Sequence, residues 1–113
     1  MKIYIAGKYT GIPHEQAVAK FNATEQQLIE TGLQPNEIIN PVKHVPQNTQ
    51  WSDAMKICIP LLESCTAIFM QNDWLESFGA RRELSRAMEL RLDLFFEQQK
   101  DMALISNLIG TGV

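Results

Sequence analysis

At 113 residues, with 45% hydrophobic and 20% charged side chains, the chain has the size and make-up of one compact globular domain. That composition excludes a disordered, fibrous or disulfide-scaffold protein. A formal net charge of -3 excludes a general positive field of the kind that holds a phosphate polymer, so no nucleic-acid partner is expected.

The opening run Lys2 to Ala6 is β-branched and aromatic and ends at Gly7, which predicts a buried strand leading into the loop Lys8-Tyr9-Thr10-Gly11. Pro13 suits the first turn of a helix, and Ala17, Val18, Phe21, Leu28 and Ile29 give that helix its apolar stripe as far as the stop at Gly32. Leu33 to Ile39 predicts a weaker extended segment, cut by Asn40-Pro41 because the residue before proline avoids helical angles. Residues 41–50 read as a surface connection able to act as a lid. Trp51, Ala54, Met55, Cys58, Leu61, Leu62 and Cys65 recur at helical steps, with Trp51 expected in the core and Pro60 expected to kink or split the helix near Lys56 to Ile59.

Thr66 to Met70 has the length and apolarity of a strand covered on both faces, and Gln71 to Glu76 is its exit loop. Ser77 is the expected N-cap of a helix reaching about Leu90, Leu92 to Phe96 is a further strand, and a last helix spans about 97–109 before a loose Gly110 to Val113 tail. Strands alternating with helices at this spacing define one α/β domain over residues 1–113, a small doubly wound, flavodoxin- or Rossmann-like parallel sheet of four or five strands with helices on both faces. No apolar run approaches the roughly 20 residues of a bilayer span and no secretory signal opens the chain, so a cytoplasmic protein without a membrane partner is expected.

Ligands of such sheets bind beyond the carboxyl ends of the strands, which singles out the loops Gly7 to Gly11 and Gln71 to Gly79. At 100° per residue, Glu83 falls on the small apolar stripe of its helix with Gly79, Ala80, Ala87 and Leu90. Such a glutamate is paired, here with Arg82 or Arg86, or sits at the rim of the core, or is placed there for chemistry. Ser77, Phe78 and Gly79 open that helix with free amides and positive dipole, a phosphate-sized site or simply a cap, and Gly7-Lys8 offers further donors and a cation at the same edge. Trp74 serves as a roof for a ring-shaped ligand or as a lid on the core. Cys58 and Cys65 read as reduced core thiols, and His14 and His44 lack the neighbours of a zinc site, so neither metal nor cofactor is expected. Walker, GxGxxG and GxSxG patterns are absent.

Over Met1 to Phe96, the opening Ile3-Tyr4-Ile5-Ala6-Gly7-Lys8-Tyr9, the Asn40-Pro41 turn, and Trp74 with Ser77, Gly79, Ala80, Glu83 and Ala87 resemble the nucleoside 2-deoxyribosyltransferase superfamily, in particular its small bacterial and phage branch. The resemblance implies an enzyme that cleaves or exchanges the N-glycosidic bond of a 2′-deoxynucleoside or its 5′-monophosphate, with Glu83 as the ionised nucleophile. It also implies a 5′-phosphate held by Ser77 and Gly79, a sugar bordered by Gly7, Lys8 and Tyr9, and further substrate contacts from Asp73 and Trp74. Where such enzymes carry two further acids this chain has Cys58 and Thr66, leaving Asp53, Asp73 or Glu76 to protonate the leaving base. Those missing acids favour the alternative of a nucleotide-binding module without turnover. A homo-oligomer is expected in either case, with Leu104, Ile105, Leu108 and Ile109 as an adhesive surface.

Overall fold

The structure, a computed structural model, describes residues 1–109, and the Gly110 to Val113 tail lies outside them. Four parallel strands, β1 (Ile3–Ala6), β2 (Ile38–Ile39), β3 (Ala67–Met70) and β4 (Asp93–Phe96), lie in the order β2-β1-β3-β4. Helices α1 (His14–Glu30), α2 (Trp51–Glu63) and α3 (Phe78–Glu89) make the crossovers, and α4 (Asp101–Ile109) closes the chain. The doubly wound α/β expectation therefore holds, with four strands.

Alternation along the strands sorts side chains onto two faces. Ile3, Ile5, Ala67, Phe69 and Phe95 pack with Phe21 and Leu28 of α1 and Ile105 of α4. Tyr4, Ala6, Ile68 and Met70 point the other way, against Cys58 and Leu62 of α2 and Ala80 and Ala87 of α3. Register across the central pair sets Tyr4 beside Ile68 and Ala6 beside Met70. Both cysteines are buried free thiols, as their apolar helical neighbours predict.

Local differences from the sequence reading have physical causes. The extended segment 33–39 shortens to a 3-10 turn, Pro35–Glu37, followed by the two-residue β2, because Gln34 and Glu37 close a capping box around the proline. Pro13 precedes α1 instead of entering its first turn. Pro60 does not split α2, which runs unbroken through it. Proline and Lys56, whose carbonyl loses its helical partner, both sit on the exposed side of the helix, where the unpaired carbonyl faces solvent instead of the core. The final helix begins at Asp101, not near 97, after a 3-10 turn and Lys100 at φ 60°. In that helix Ile105 is fully buried and Ile109 packs partly on the first core, which leaves Leu104 and Leu108 as its large exposed apolar side chains. Among the described residues no helix is long and apolar enough to cross a membrane.

Candidate functional site

The chain leaves β1 toward β2 on one side and leaves β3 toward β4 on the other, so a crevice opens where β1 and β3 end side by side. A cleft of about 480 Å³ occupies this point. Tyr4, Cys58 and Glu83, one side chain each from β1, α2 and α3, all line it. Pro41, Val42 and Val45 form one wall, and Trp51, Ala54 and Met55 of α2 form another. The first of these walls is anchored through Asn40, whose Nδ2 donates to Asn22 Oδ1 and Glu25 Oε1, each at 2.9 Å, while Lys43 Nζ reaches Glu25 Oε2 at 2.9 Å. Burial tends to raise the Glu25 carboxyl, but the Lys43 and Asn40 hydrogen bonds outweigh it and hold that group below its ordinary range.

Glu83 is 6% exposed and turned inward. The Tyr4 hydroxyl, on a side chain that is itself fully buried, donates to Glu83 Oε2 at 2.5 Å. Among the described residues no cation pairs with it: Arg86 is engaged by Glu63 at 2.7 Å and by Glu89 at 3.7 Å, and Arg82 is exposed. The structural ion pair offered by the sequence is therefore not what holds Glu83. Burial pushes this carboxyl up to about 8 against the opposing hydrogen bond from Tyr4, so the free site holds it mainly as the neutral acid at pH 7. The expectation of an ionised group is corrected on this point. Desolvation acts the same way on its neighbours: burial, then the Glu83 charge, moves Tyr4 well above the ordinary phenol range and Cys58 to about 11.

Of the site residues read from sequence, Gly7, Tyr9, Ser77, Gly79 and Glu83 line this one cleft. The Ser77 hydroxyl accepts from the Ala80 amide at 3.0 Å and is the N-cap of α3. Gly79 allows a close approach: a Cβ there would stand 3.2 Å from Trp51 Nε1 and 3.4 Å from Met55 Sδ, tight enough that these side chains of α2 would have to shift slightly. Gly7 is crossed by the Gln71 side chain, whose Oε1 would lie only 1.9 Å from an added Cβ. Gln71, 1% exposed, is fixed there by donating from Nε2 to Thr24 Oγ1 at 2.8 Å and to the Lys20 carbonyl at 3.3 Å.

Lys8, Asp73 and Trp74 do not line the cleft. Asp73 accepts from the Lys8 amide at 3.0 Å and from Lys20 Nζ at 2.8 Å, and Lys20 also donates to the Lys8 carbonyl at 2.6 Å. Asp73 is thus a pin between the two loops, and the Lys8 amide expected to meet a ligand is already engaged. Lys8 Nζ lies 3.4 Å from Glu76. Trp74 packs on Phe96, ring centroids 5.8 Å apart, as part of the second core. Its place at the cleft mouth is taken by Trp51, expected in the core but 39% exposed, which meets the 66%-exposed Phe78 edge to face at 5.5 Å. Of the three candidate proton donors only Glu76 reaches the cleft; Asp53 is exposed beside Lys56. Tyr4 was hidden from motif reading, although strand parity points it to the same face as the Glu83 stripe. Among the described residues no group of three or more His, Cys, Asp or Glu gathers as a metal site, and His14 instead lies 2.9 Å from the Tyr9 hydroxyl.

Residues 1–96 match the model of a domain of unknown function, DUF4406, and the chain belongs to that family. No curated protein matches the chain. No solved structure does so either.

Proposed function

We propose that the protein is an N-glycosidic bond-cleaving or exchanging enzyme acting on a nucleoside, with Glu83 as nucleophile. One observation carries this reading: a carboxyl group without a cationic partner, buried at the crevice between β1 and β3 and hydrogen-bonded by Tyr4. A carboxyl whose proton affinity is shifted this far by burial in a cleft is the kind of group that active sites keep. In the reaction, a Glu83 oxygen bonds to the anomeric carbon as the bond to the base nitrogen breaks and its electron pair leaves with the base. Tyr4 steadies the carboxylate. Water, or a second base, then displaces Glu83 from the anomeric carbon.

Among the described residues no Lys or Arg lines the cleft, so a nucleoside suits it better than its 5′-monophosphate. Thermal-shift and base-release assays on a panel of 2′-deoxynucleosides and their monophosphates test this. Release of free base by the protein and its loss in Glu83→Gln support the reading; equal, background-level release by both proteins defeats it. A second reading, capture of a nucleotide-like molecule without turnover, is favoured by the neutral state of Glu83 at pH 7 and by Glu76 being, among the described residues, the one other carboxyl side chain in the lining. Under that reading, ligands raise the melting temperature and are recovered intact.

A further inference from the structure

A neutral nucleobase leaves the anomeric carbon with an extra electron pair and needs a proton as it goes. The cleft supplies this poorly. Asp73 is committed to Lys20, Asp53 lies outside the lining beside Lys56, and Glu76 stands exposed at the mouth beside Lys8. Cys58, where a further acid would serve, is a thiol whose proton burial and the Glu83 charge hold firmly.

The same lining is oddly suited to positive charge. Tyr9, Trp51 and Phe78 present aromatic rings, Glu76 and Glu83 present carboxyls, and no Lys or Arg lies among the lining residues described. Lys8 and Lys20 are turned to Glu76 and Asp73, and the exposed Arg81 stacks over Phe78 at 5.5 Å without entering the lining. Aromatic faces beside carboxyl groups are the surroundings that hold an onium ion; Glu76 already faces Lys8 and Phe78 already carries Arg81, which leaves Tyr9, Trp51 and Glu83 to a ligand.

We infer that the ligand of this cleft carries a positive charge on its heterocycle, a quaternised ring such as a pyridinium or N7-alkylpurinium glycoside, and that this charge replaces the missing leaving-group acid. When the bond from the anomeric carbon to such a ring nitrogen breaks, the electron pair neutralises the ring, which departs with no proton transferred. Glu83 forms the new bond to the sugar; water then adds to the anomeric carbon, frees the Glu83 oxygen and gives its proton to solvent. A cation arriving beside Glu83 also favours the ionised carboxylate that attack requires. The turnover half of this inference rests on the glycosidic reading above, whereas the binding half does not.

Two pairs of probes separate them. For binding, the pyridinium C1′-N-(2-deoxyriboside) is compared by calorimetry with the phenyl C-(2-deoxyriboside), which has the same shape and no charge. The pyridinium should bind about tenfold tighter, and Glu76→Gln together with Trp51→Leu should narrow that margin. Equal or tighter binding of the phenyl compound overturns the inference. For turnover, 2′-deoxy-N7-methylguanosine is compared with 2′-deoxyguanosine, each corrected by the rate in Glu83→Gln. Cleavage of the methylated compound alone supports the inference. Equal acceleration of both overturns it and leaves the glycosidic reading standing. Charge-selective binding with no cleavage of either compound upholds the cationic ligand and defeats the glycosidic reading.

Discussion

The two faces of the sheet are made from the same strands and do different work. On the α1/α4 side, Ile3, Ile5, Phe69 and Phe95 meet Phe21, Leu28 and Ile105 in an apolar layer, while the buried Glu25 of the same helix α1 is tied to Lys43 and Asn40. On the α2/α3 side, one residue along in every strand, Tyr4 brings a hydroxyl to Cys58 and Glu83 beneath an open cleft. Both faces bury an apolar cluster, the tyrosine–glutamate pair lies on the second, and β1 serves both. Substitutions on the two faces should therefore differ in kind as well as in size.

The largest effect should come from Glu83→Gln, which keeps the shape and an acceptor for Tyr4 but cannot attack carbon. Base release should fall about a thousandfold or more, as read by chromatography of the products, with melting temperature retained. Phe69→Ala, on the opposite face, should lower stability by about 3–5 kcal/mol in urea unfolding; if it left stability intact and altered ligand selectivity instead, the division between faces would be wrong. Gly7→Ala must displace Gln71 and break its bond to Thr24, for about 2–4 kcal/mol, and the same unfolding experiment reads it.

The pH dependence sharpens the contrast further. Glu83 holds its proton to about 8 when folded but releases it near 4.5 when unfolded. Between those values the folded state binds the extra proton, so its contribution is complete below about 4.5 and is lost as pH rises through about 8. Wild type should lose stability relative to Glu83→Gln at up to about 1.4 kcal/mol per pH unit in that window, whereas Phe69→Ala should keep the wild-type slope. On the activity side kcat/KM should rise with pH and level above about 8, because attack needs the ionised group. Smallest is Ser77→Ala, which removes the α3 cap for about 0.5–2 kcal/mol and should be visible as a modest drop in thermal midpoint.

Much of this was legible in the residues. Short apolar runs and period-3.6 patterns located the strands and the helices, and the helical projection turned Glu83 inward. What the sequence hid depends on contacts between distant segments. Trp51 fits the apolar stripe of α2, yet it sits at the helix start, where Gly79 brings α3 close and leaves the indole at the cleft rim. Asp73 looks available in a loop, but Lys20, 53 residues away, claims it. The state of Glu83 was equally out of reach, since its proton affinity is set by burial and by Tyr4, 79 positions earlier.

The alternation of β1 has an evolutionary corollary. Inserting one residue between Ile3 and Tyr4 would exchange the faces of everything beyond it, sending the phenol into the oily layer, and a deletion or insertion further along would do the same to the rest of the strand. Neither half of the molecule could absorb that error locally. This segment should therefore tolerate spelling changes in its letters but none in its length, a constraint that deep sequencing of a codon-deletion library would expose as a gap over residues 3–6.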